Sequence, residues 1–462
     1  MNNHRLTDTI CAISTPPGVG GIAIIRLSGN DAITITNRLF FGKNLEKVPT
    51  HTIHFGTIRD NGKIIDEVLV SVFKDKKSFT GEDVVEISTH GSPYIQQQVL
   101  QLLMKNGAKH AREGEFTMRA FLNGKMDLSQ AEAVADVIAA DSEAAHQLAM
   151  EQMRGGFSNE IKQLREELIH FASLIELELD FSEEDVEFAN REQLKTLVAK
   201  LHEALHQLIQ SFNVGNVIKS GVPVAIVGEP NVGKSTLLNS LLNEERAIVS
   251  DIAGTTRDVI EDELNIKGIN FRFVDTAGIR ETTDQIESLG IKKSYEKIDQ
   301  ALIVLLLVDA ATISKDKLIN DIANIHKRIA HKQKKLFVIA NKVDKIDDKN
   351  LEEKFSDIDD VIFIAAKNNH NTDVIKEKLY TSVASGIVNT NDTVVTNARH
   401  HEELSKADEY LLKVLEGLGS QISGDFLAMD IRQALYHLGQ ITGEISTDDL
   451  LDNIFSRFCI GK

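Results

Sequence analysis

The chain has 462 residues, enough for about three domains with separate cores, and a formal net charge of −18 that excludes a general basic surface for non-specific nucleic-acid binding. A local basic groove stays open to such a partner. Its only cysteines, Cys11 and Cys459, exclude a disulfide framework beyond one bridge and point to a reducing, cytoplasmic compartment.

The start, Met1-Asn2-Asn3-His4-Arg5, lacks the apolar core of a signal peptide. The longest apolar run, Ala301 to Val308, has eight residues, too few to cross a bilayer, and reads as a buried strand. No membrane association is expected.

Residues 1–123 read as an α+β domain. Thr9 to Thr15 and Ile22 to Leu27 are strand-like, as are Glu67 to Phe73 and Val84 to Ser88, whereas Ser92 to Asn106 has helical apolar spacing. Gly18 to Ala23 carries the spacing of a dinucleotide fingerprint, but a β-branched run follows it instead of a helix, so a Rossmann reading is rejected. Arg26, Glu86, His90, Arg119 and Lys125 are the polar points here, and by spacing alone a surface or structural role is the commoner one for each.

From 124 to 217 the period changes to 3.6. Ile161, Leu164, Leu168, Phe171, Ile175 and Leu179 form one apolar stripe, and Leu194, Leu197, Leu201, Leu205 and Leu208 form another, with Asn190 and Gln193 as a capping box between them. Two stripes predict antiparallel helices. The acidic stretch Glu176 to Asp185 has carboxylates for a metal, but a solvated loop is the simpler reading.

Residues 218–384 carry the phosphate chemistry. The apolar run Val224 to Val227 enters Gly228-Glu229-Pro230-Asn231-Val232-Gly233-Lys234-Ser235, and Thr236 to Leu242 continues with helical spacing, the context of a P-loop. Backbone amides converge there on phosphate, Lys234 adds a charge near the β- and γ-phosphates, and Ser235 offers its hydroxyl to Mg²⁺. Asp275-Thr276-Ala277-Gly278 follows the next strand, where Asp275 reaches the Mg²⁺ shell and the Gly278 amide the γ-phosphate. Asn341-Lys342-Val343-Asp344 follows a third, and a carboxylate at Asp344 accepts both guanine N–H groups, selecting GTP. Ala365-Ala366-Lys367 would supply the Ala366 amide to guanine O6. Between the first two signals, Ser250-Asp251-Ile252-Ala253-Gly254-Thr255-Thr256-Arg257-Asp258 reads as a switch loop with Thr256 as the second Mg²⁺ ligand. Ile279 occupies the place of a Ras-like water-orienting glutamine, and an aliphatic side chain orients no water. Glu281, Asp284 and Glu287 are acidic replacements between which spacing does not choose.

Residues 385–462 return to helical spacing after about 397, with Thr447-Asp448-Asp449 as an N-cap. The architecture expected is therefore multidomain α/β: an N-terminal α+β domain and a discontinuous helical domain interrupted by a Ras-like P-loop G domain. The ending Cys459-Ile460-Gly461-Lys462 is a poor prenylation box, and Cys459 reads equally as a nucleophile and as a structural thiol.

Three stretches together resemble the MnmE (TrmE) family of tRNA-modification GTPases, within the TrmE-Era-EngA-like group. They are Gly228 to Ser235 with Gly254-Thr255-Thr256-Arg257-Asp258, Phe121 to Lys125 with Leu128-Ser129-Gln130-Ala131-Glu132-Ala133, and the terminal Phe458-Cys459-Ile460-Gly461-Lys462. The resemblance spans essentially the whole chain. It implies a K⁺ ion held by Asn231, Ser250, Ile252 and Thr255 in place of an arginine finger, and Glu287 as the group that positions water. It implies a folate-binding-like N-terminal domain in which Arg26, Glu86, Lys125 and Lys462 hold formyl- or methylene-tetrahydrofolate. It also implies a homodimer that works on tRNA with a flavin-dependent partner, modifying C5 of the wobble uridine, with Cys459 as a candidate catalytic residue. Two departures from the family stand out: Thr89-His90-Gly91-Ser92 where many members have Gly-His-Gly-Gly, and Ala365 where serine is usual. A GTP-dependent ribosome-assembly switch is the alternative, and such a switch needs neither the folate residues nor the terminal motif.

Overall fold

The computed structural model describes residues 7–180, 191–243, 262–274, 297–329, 334–387, 393–420, 422 and 424–462. It divides into two compact units, one of Met1–Ile138, Met150–Leu205 and Glu402–Lys462, the other of Ala139–Ala149 and His206–His401.

The first unit begins with β1 (Ile10–Ile13), β2 (Gly20–Ser28), α1 (Ala32–Leu39), β3 (Phe40–Phe41), β4 (Thr52–Asp60), β5 (Lys63–Phe73), β6 (Val84–Gly91), α2 (Pro93–Lys105), β7 (Lys109–His110) and α3 (Glu115–Leu122). The strands make one sheet in the order β3-β4-β5-β6-β2-β1-β7, antiparallel except where β7 joins β1. Alternation along β5 buries Val68, Val70 and Val72 and turns Glu67, Leu69 and Ser71 outward, as period 2 requires. The inward residues pack with Ile33 and Ile35 of α1 and Val99 and Leu103 of α2. Register then places Ile53, Ser71, Glu86, Arg26 and Ala12 in one row across the opposite face, beside a second row of Phe55, Leu69, Ser88 and Ile24. Arg119 on α3 is buried with its charge met by Glu82 and Glu115, 3.2 and 2.9 Å away, so it is a structural ion.

Four helices follow, α4 (Leu128–Ala139), α5 (Glu143–Met153), α6 (Gly156–Asp180) and α7 (Arg191–Ser220). The two stripes read from sequence are α6 and α7, with Ile161, Leu168, Ile175, Leu194, Leu201, Leu205 and Leu208 buried. The sequence reading passed over α4 and α5 as separate helices. Half of their apolar residues are alanine, which marks a face weakly. The expected capping residue Asn190 lies outside the described residues, and so does most of the acidic stretch, although Glu176 to Asp180 belong to α6.

The second unit's sheet comprises β8 (Val222–Val227), β9 (Asp262–Ile266), β10 (Ile269–Phe273), β11 (Ile303–Asp309), β12 (Lys335–Asn341) and β13 (Ile362–Ile364), with helices α8 (Lys234–Asn243), α9 (Lys315–Ile329), α10 (Asp348–Phe355) and α11 (Thr372–Ile387). Strand order is β13-β12-β11-β8-β10-β9, parallel apart from the β9–β10 hairpin. Both faces are covered: Ile226, Leu305 and Ile339 pack toward α8 and α11, while Val227, Leu306 and Val338 pack toward α9 and Phe355 of α10. A parallel sheet buried on both sides reads as continuous apolar runs, which is why β11 was visible as one. The chain enters this sheet from α7 and leaves along 393–397, and the two passages touch: Val395 N donates to Ser211 Oγ at 3.0 Å, and a Cβ on Gly215 would lie 2.2 Å from Val395 O.

The last three helices are α12 (Ala398–Gly419), whose residues from Glu402 onward belong to the first unit, α13 (Gly424–Thr442) and α14 (Asp448–Phe455). Helix α13 packs along α6. Thr447 caps α14 as read, its hydroxyl accepting from Leu450 N at 3.3 Å. No helix among the described residues is long and apolar enough to cross a membrane, and no cluster of His, Cys, Asp and Glu among them is built to hold a metal.

Candidate active site

Strand β8 ends and α8 begins with six loop residues between them, 228 to 233. Three of the six have positive φ: Gly228 at 154°, Asn231 at 63° and Gly233 at 102°. Close approach demands the glycines. A Cβ on Gly228 would sit 2.2 Å from Leu307 O, and one on Gly233 would sit 2.5 Å from Asn341 Nδ2. Lys234, the first residue of α8, curls over the loop and donates to Gly228 O at 2.8 Å and Glu229 O at 2.7 Å. Its burial, aided by the charge of Lys297 and opposed by Glu229, lowers its pKa from the ordinary lysine value. Ser235 and Thr236 are exposed at the start of α8, where the helix N-terminus favours an anion.

The segment expected to select guanine is wired to this loop. Asn341, buried at the end of β12, donates from Nδ2 to Val232 O at 2.8 Å, and its Oδ1 accepts from Ala366 N at 3.0 Å. The Ala366 amide expected on guanine O6 is thus engaged with Asn341, and a base would share it. Lys342 has φ of 64° and its Nζ donates both to Asn231 O and to Asp309 Oδ2, each at 2.7 Å. Asp344 stands exposed in the following turn, Val343–Lys345. Ala365 is buried, and the loop it begins is closed by its own exchange with His370 and by Ser240 Oγ donating to Asn369 Oδ1 at 2.8 Å.

Asp309 escaped the sequence reading. It ends the apolar run of β11, and a carboxylate closing a buried parallel strand beside the P-loop strand was the available signal. Ser250, Asp251, Ile252, Ala253, Gly254, Thr255, Thr256, Asp275, Thr276, Ala277, Gly278 and Glu287 lie outside the described residues.

A second constellation sits on the sheet of the first unit. Arg26 and Glu86 face each other across β2 and β6, with Arg26 Nε and Nη2 both donating to Glu86 Oε1 at 2.9 and 2.8 Å. The guanidinium lies 5.7 Å from the ring centroids of both Phe79 and Phe116. Phe116 N in turn donates to Lys462 O at 3.1 Å, and Ser14 Oγ donates to Gly461 O at 3.1 Å. The C-terminal segment is therefore docked beside β1 and α3, with Gly461 at φ 93° because a Cβ there would lie 2.3 Å from Ile13 O. Lys125 reaches Lys76 O at 2.7 Å, across the 76–81 loop that carries Phe79. Cys459 is exposed, in contrast to buried Cys11, whose thiol burial pushes up to about 12. Thr89 and Gly91 belong to β6 and not to a free loop: Gly91 presses on Gly20 O, and His90 bonds Asp66 through N and Nδ1 at 2.8 and 2.7 Å.

The described geometry thus joins the 228–233 loop to the Asn341–Lys342 segment and the loop at Ala366, and places an ion pair with two aromatic rings near Gly461 and Lys462. Comparison with known proteins adds the family. Residues 9–125 match the family model described as GTP-binding protein TrmE N-terminus, and residues 128–459 match that of the MnmE helical domain. The chain is 57% identical over 462 residues to the tRNA modification GTPase MnmE of Cytophaga hutchinsonii, covering 100% of this chain and 99% of that one. It is 58% identical over 473 aligned residues to the same-named protein of Christiangramia forsetii, covering 99% and 100%, and 56% identical over 458 to that of Flavobacterium psychrophilum, covering 98% and 99%. The chain belongs to the MnmE family of tRNA modification GTPases.

Proposed function

We propose that this chain hydrolyses GTP with K⁺ and Mg²⁺ and, together with a flavin-dependent partner protein, installs an aminomethyl or carboxymethylaminomethyl group at C5 of the tRNA wobble uridine, the carbon coming from formyl- or methylene-tetrahydrofolate. The observation that carries the reading is the docking of the C-terminal segment onto Phe116, beside the Arg26–Glu86 pair. A pure switch has no use for that arrangement. A pterin-like ring system fits its chemistry, since Glu86 accepts N–H donors, Arg26 attracts carboxylates, and Phe79 and Phe116 supply flat apolar walls. Lys125 and Lys462 would add cations for the glutamate tail.

In the G domain, Ser235 and Thr256 would hold Mg²⁺, and the loop at Gly228 to Gly233, whose glycines leave no room for a Cβ against Leu307 O and Asn341 Nδ2, would turn its amides to phosphate oxygens. When bound, Mg²⁺ would supply positive charge against the β- and γ-phosphates. Asn231, Ser250, Ile252 and Thr255 would hold K⁺. Lys234 releases its loop carbonyls and turns to the phosphates, Asp344 accepts guanine N–H groups, and Glu287 orients water. We assign the functional domains as 1–123, 124–217, 218–384 and 385–462, and the compartment as cytoplasmic.

A homodimer accords with the outward face of the first sheet. Ile22, Ile53, Phe55 and Leu69 are 69%, 65%, 66% and 47% exposed, and the row of Ile53 continues through Ser71 into Glu86 and Arg26, beside the row of Phe55 and Leu69. A strand face this apolar wants a cover, and a second copy would bring two such sites together.

The test is mass spectrometry of wobble nucleosides in tRNA from a deletion strain. Loss of the C5-modified uridine, restored by the intact gene, is expected. Unchanged nucleosides with accumulating ribosomal precursors would favour the assembly switch.

A further inference from the structure

Among the described residues of the nucleotide site, Asn231 in the P-loop and Lys342 after β12 hold left-handed backbone, at φ 63° and 64°. Asparagine tolerates that region through its short polar side chain, whereas lysine has no such help and stays there only if its surroundings insist. The insistence is visible. Lys342 Nζ is held between Asp309 Oδ2 and Asn231 O, both at 2.7 Å, and Asp309 is itself fixed because its Oδ1 accepts from Ala311 N at 3.0 Å. The carboxylate is 13% exposed and the ammonium 26%, so water competes weakly for either. Although burial alone raises the Asp309 pKa, the Lys342 bond and the Ala311 and Thr312 amides outweigh it and hold the carboxyl below its ordinary value, so it is charged at neutral pH.

We infer that Asp309 is a positioning residue for the P-loop: it anchors Lys342, which grips the Asn231 carbonyl and so aims the Asn231 side chain at the monovalent cation. The inference rests on the K⁺ reading above. It names a group on a third strand end, β11, that touches neither nucleotide nor ion. With Asp309 removed, Lys342 is free to leave, the Asn231 backbone is no longer held at one φ, and its amide oxygen samples orientations unsuited to an ion. Affinity for K⁺ then falls, while the hydrolytic step, once the ion is bound, proceeds as before.

The test uses the full chain, measuring GTP turnover against K⁺ concentration at ionic strength held constant with choline chloride. Loss of the charged acceptor in Asp309→Ala should raise the half-activating K⁺ concentration about tenfold, with turnover at saturating K⁺ within about twofold of wild type. Asp309→Asn keeps a neutral oxygen for Lys342 and should fall between the two. Mant-GDP affinity in K⁺-free buffer and the melting temperature are read alongside. An Asp309→Ala protein with wild-type half-activation, while the wild type is K⁺-activated, overturns this inference alone. Lower melting temperature and weaker mant-GDP binding with the same half-activation would make Asp309 a plain fold-stabilising residue and overturn it too. A wild type equally fast in K⁺ and choline removes the ion reading and this proposal with it.

Discussion

Substituting Gly461→Ala separates the docked tail from the G domain with the smallest chemical change available. In the docked tail Gly461 has φ of 93°, and an added Cβ would meet Ile13 O at 2.3 Å and Ser14 Cα at 3.0 Å, both backbone atoms that cannot rotate away. Left-handed strain of about 1–3 kcal/mol together with overpacking of about 1–3 kcal/mol opposes docking. Against this stand two hydrogen bonds, Ser14 Oγ to Gly461 O and Phe116 N to Lys462 O, contributing about 0.5–1.5 kcal/mol each. The terms favour release of the last residues. Phe458 stays in place, because it is buried with Met118, Leu128 and Phe455 and its burial contributes about 1.5–3 kcal/mol. The expected variant is folded, hydrolyses GTP within about twofold of wild type, since no phosphate or guanine contact is touched, and loses most wobble modification. Calorimetric titration with formyl-tetrahydrofolate, GTP turnover and nucleoside mass spectrometry read the three properties separately. Full folate affinity with full modification would refute the role given to the tail, and collapse of GTP turnover would refute the separation of the two sites.

Asp344→Asn exchanges a double acceptor for an amide and should weaken GTP about tenfold or more while favouring xanthosine triphosphate, read by nucleotide titration; unchanged GTP affinity counts against the guanine assignment. Asn341→Ala strips the buried Val232 carbonyl and Ala366 amide of their shared partner, a loss of about 2–4 kcal/mol divided between G-domain stability and nucleotide affinity. Chemical unfolding and mant-GDP titration of that variant should both move, and two unmoved midpoints would mean the bridge is dispensable. Glu287→Ala should lower single-turnover hydrolysis about a hundredfold with GTP affinity retained, because a water-orienting group acts on the chemical step; a retained rate would shift the role to Glu281 or Asp284.

The strands and loops of the G domain were legible because a parallel strand covered on both faces is a continuous apolar run, and β11 and β12 close on Asp309 and Asn341 while β8 runs straight into Gly228. Strands that are not buried on both faces lacked that contrast. In β9, Asp262 and Glu263 dilute the pattern to two buried positions, and in β4 outward Ile53 and Phe55 sit where alternation expects polar residues. Arg26 and Glu86 are 60 residues apart, and their pairing depends on a cross-strand register that no local spacing encodes. Asp309 was hidden for a related reason: its partner Lys342 is 33 residues away, and only the side-by-side ends of β11 and β12 bring them together.

The contact between Ser211 and Val395 has a modular consequence. Where an inserted module's two ends meet, the host needs only a short bridge to close without it, and the closure entropy of a few residues is small. Excising 216–393 and splicing a brief glycine-serine turn from α7 to the segment before α12 should leave both products able to fold, the excised piece as an autonomous GTP-binding protein. The junction thus marks a suture along which a nucleotide module is grafted into a helical host, and along which a different module with closely spaced termini can be exchanged for it.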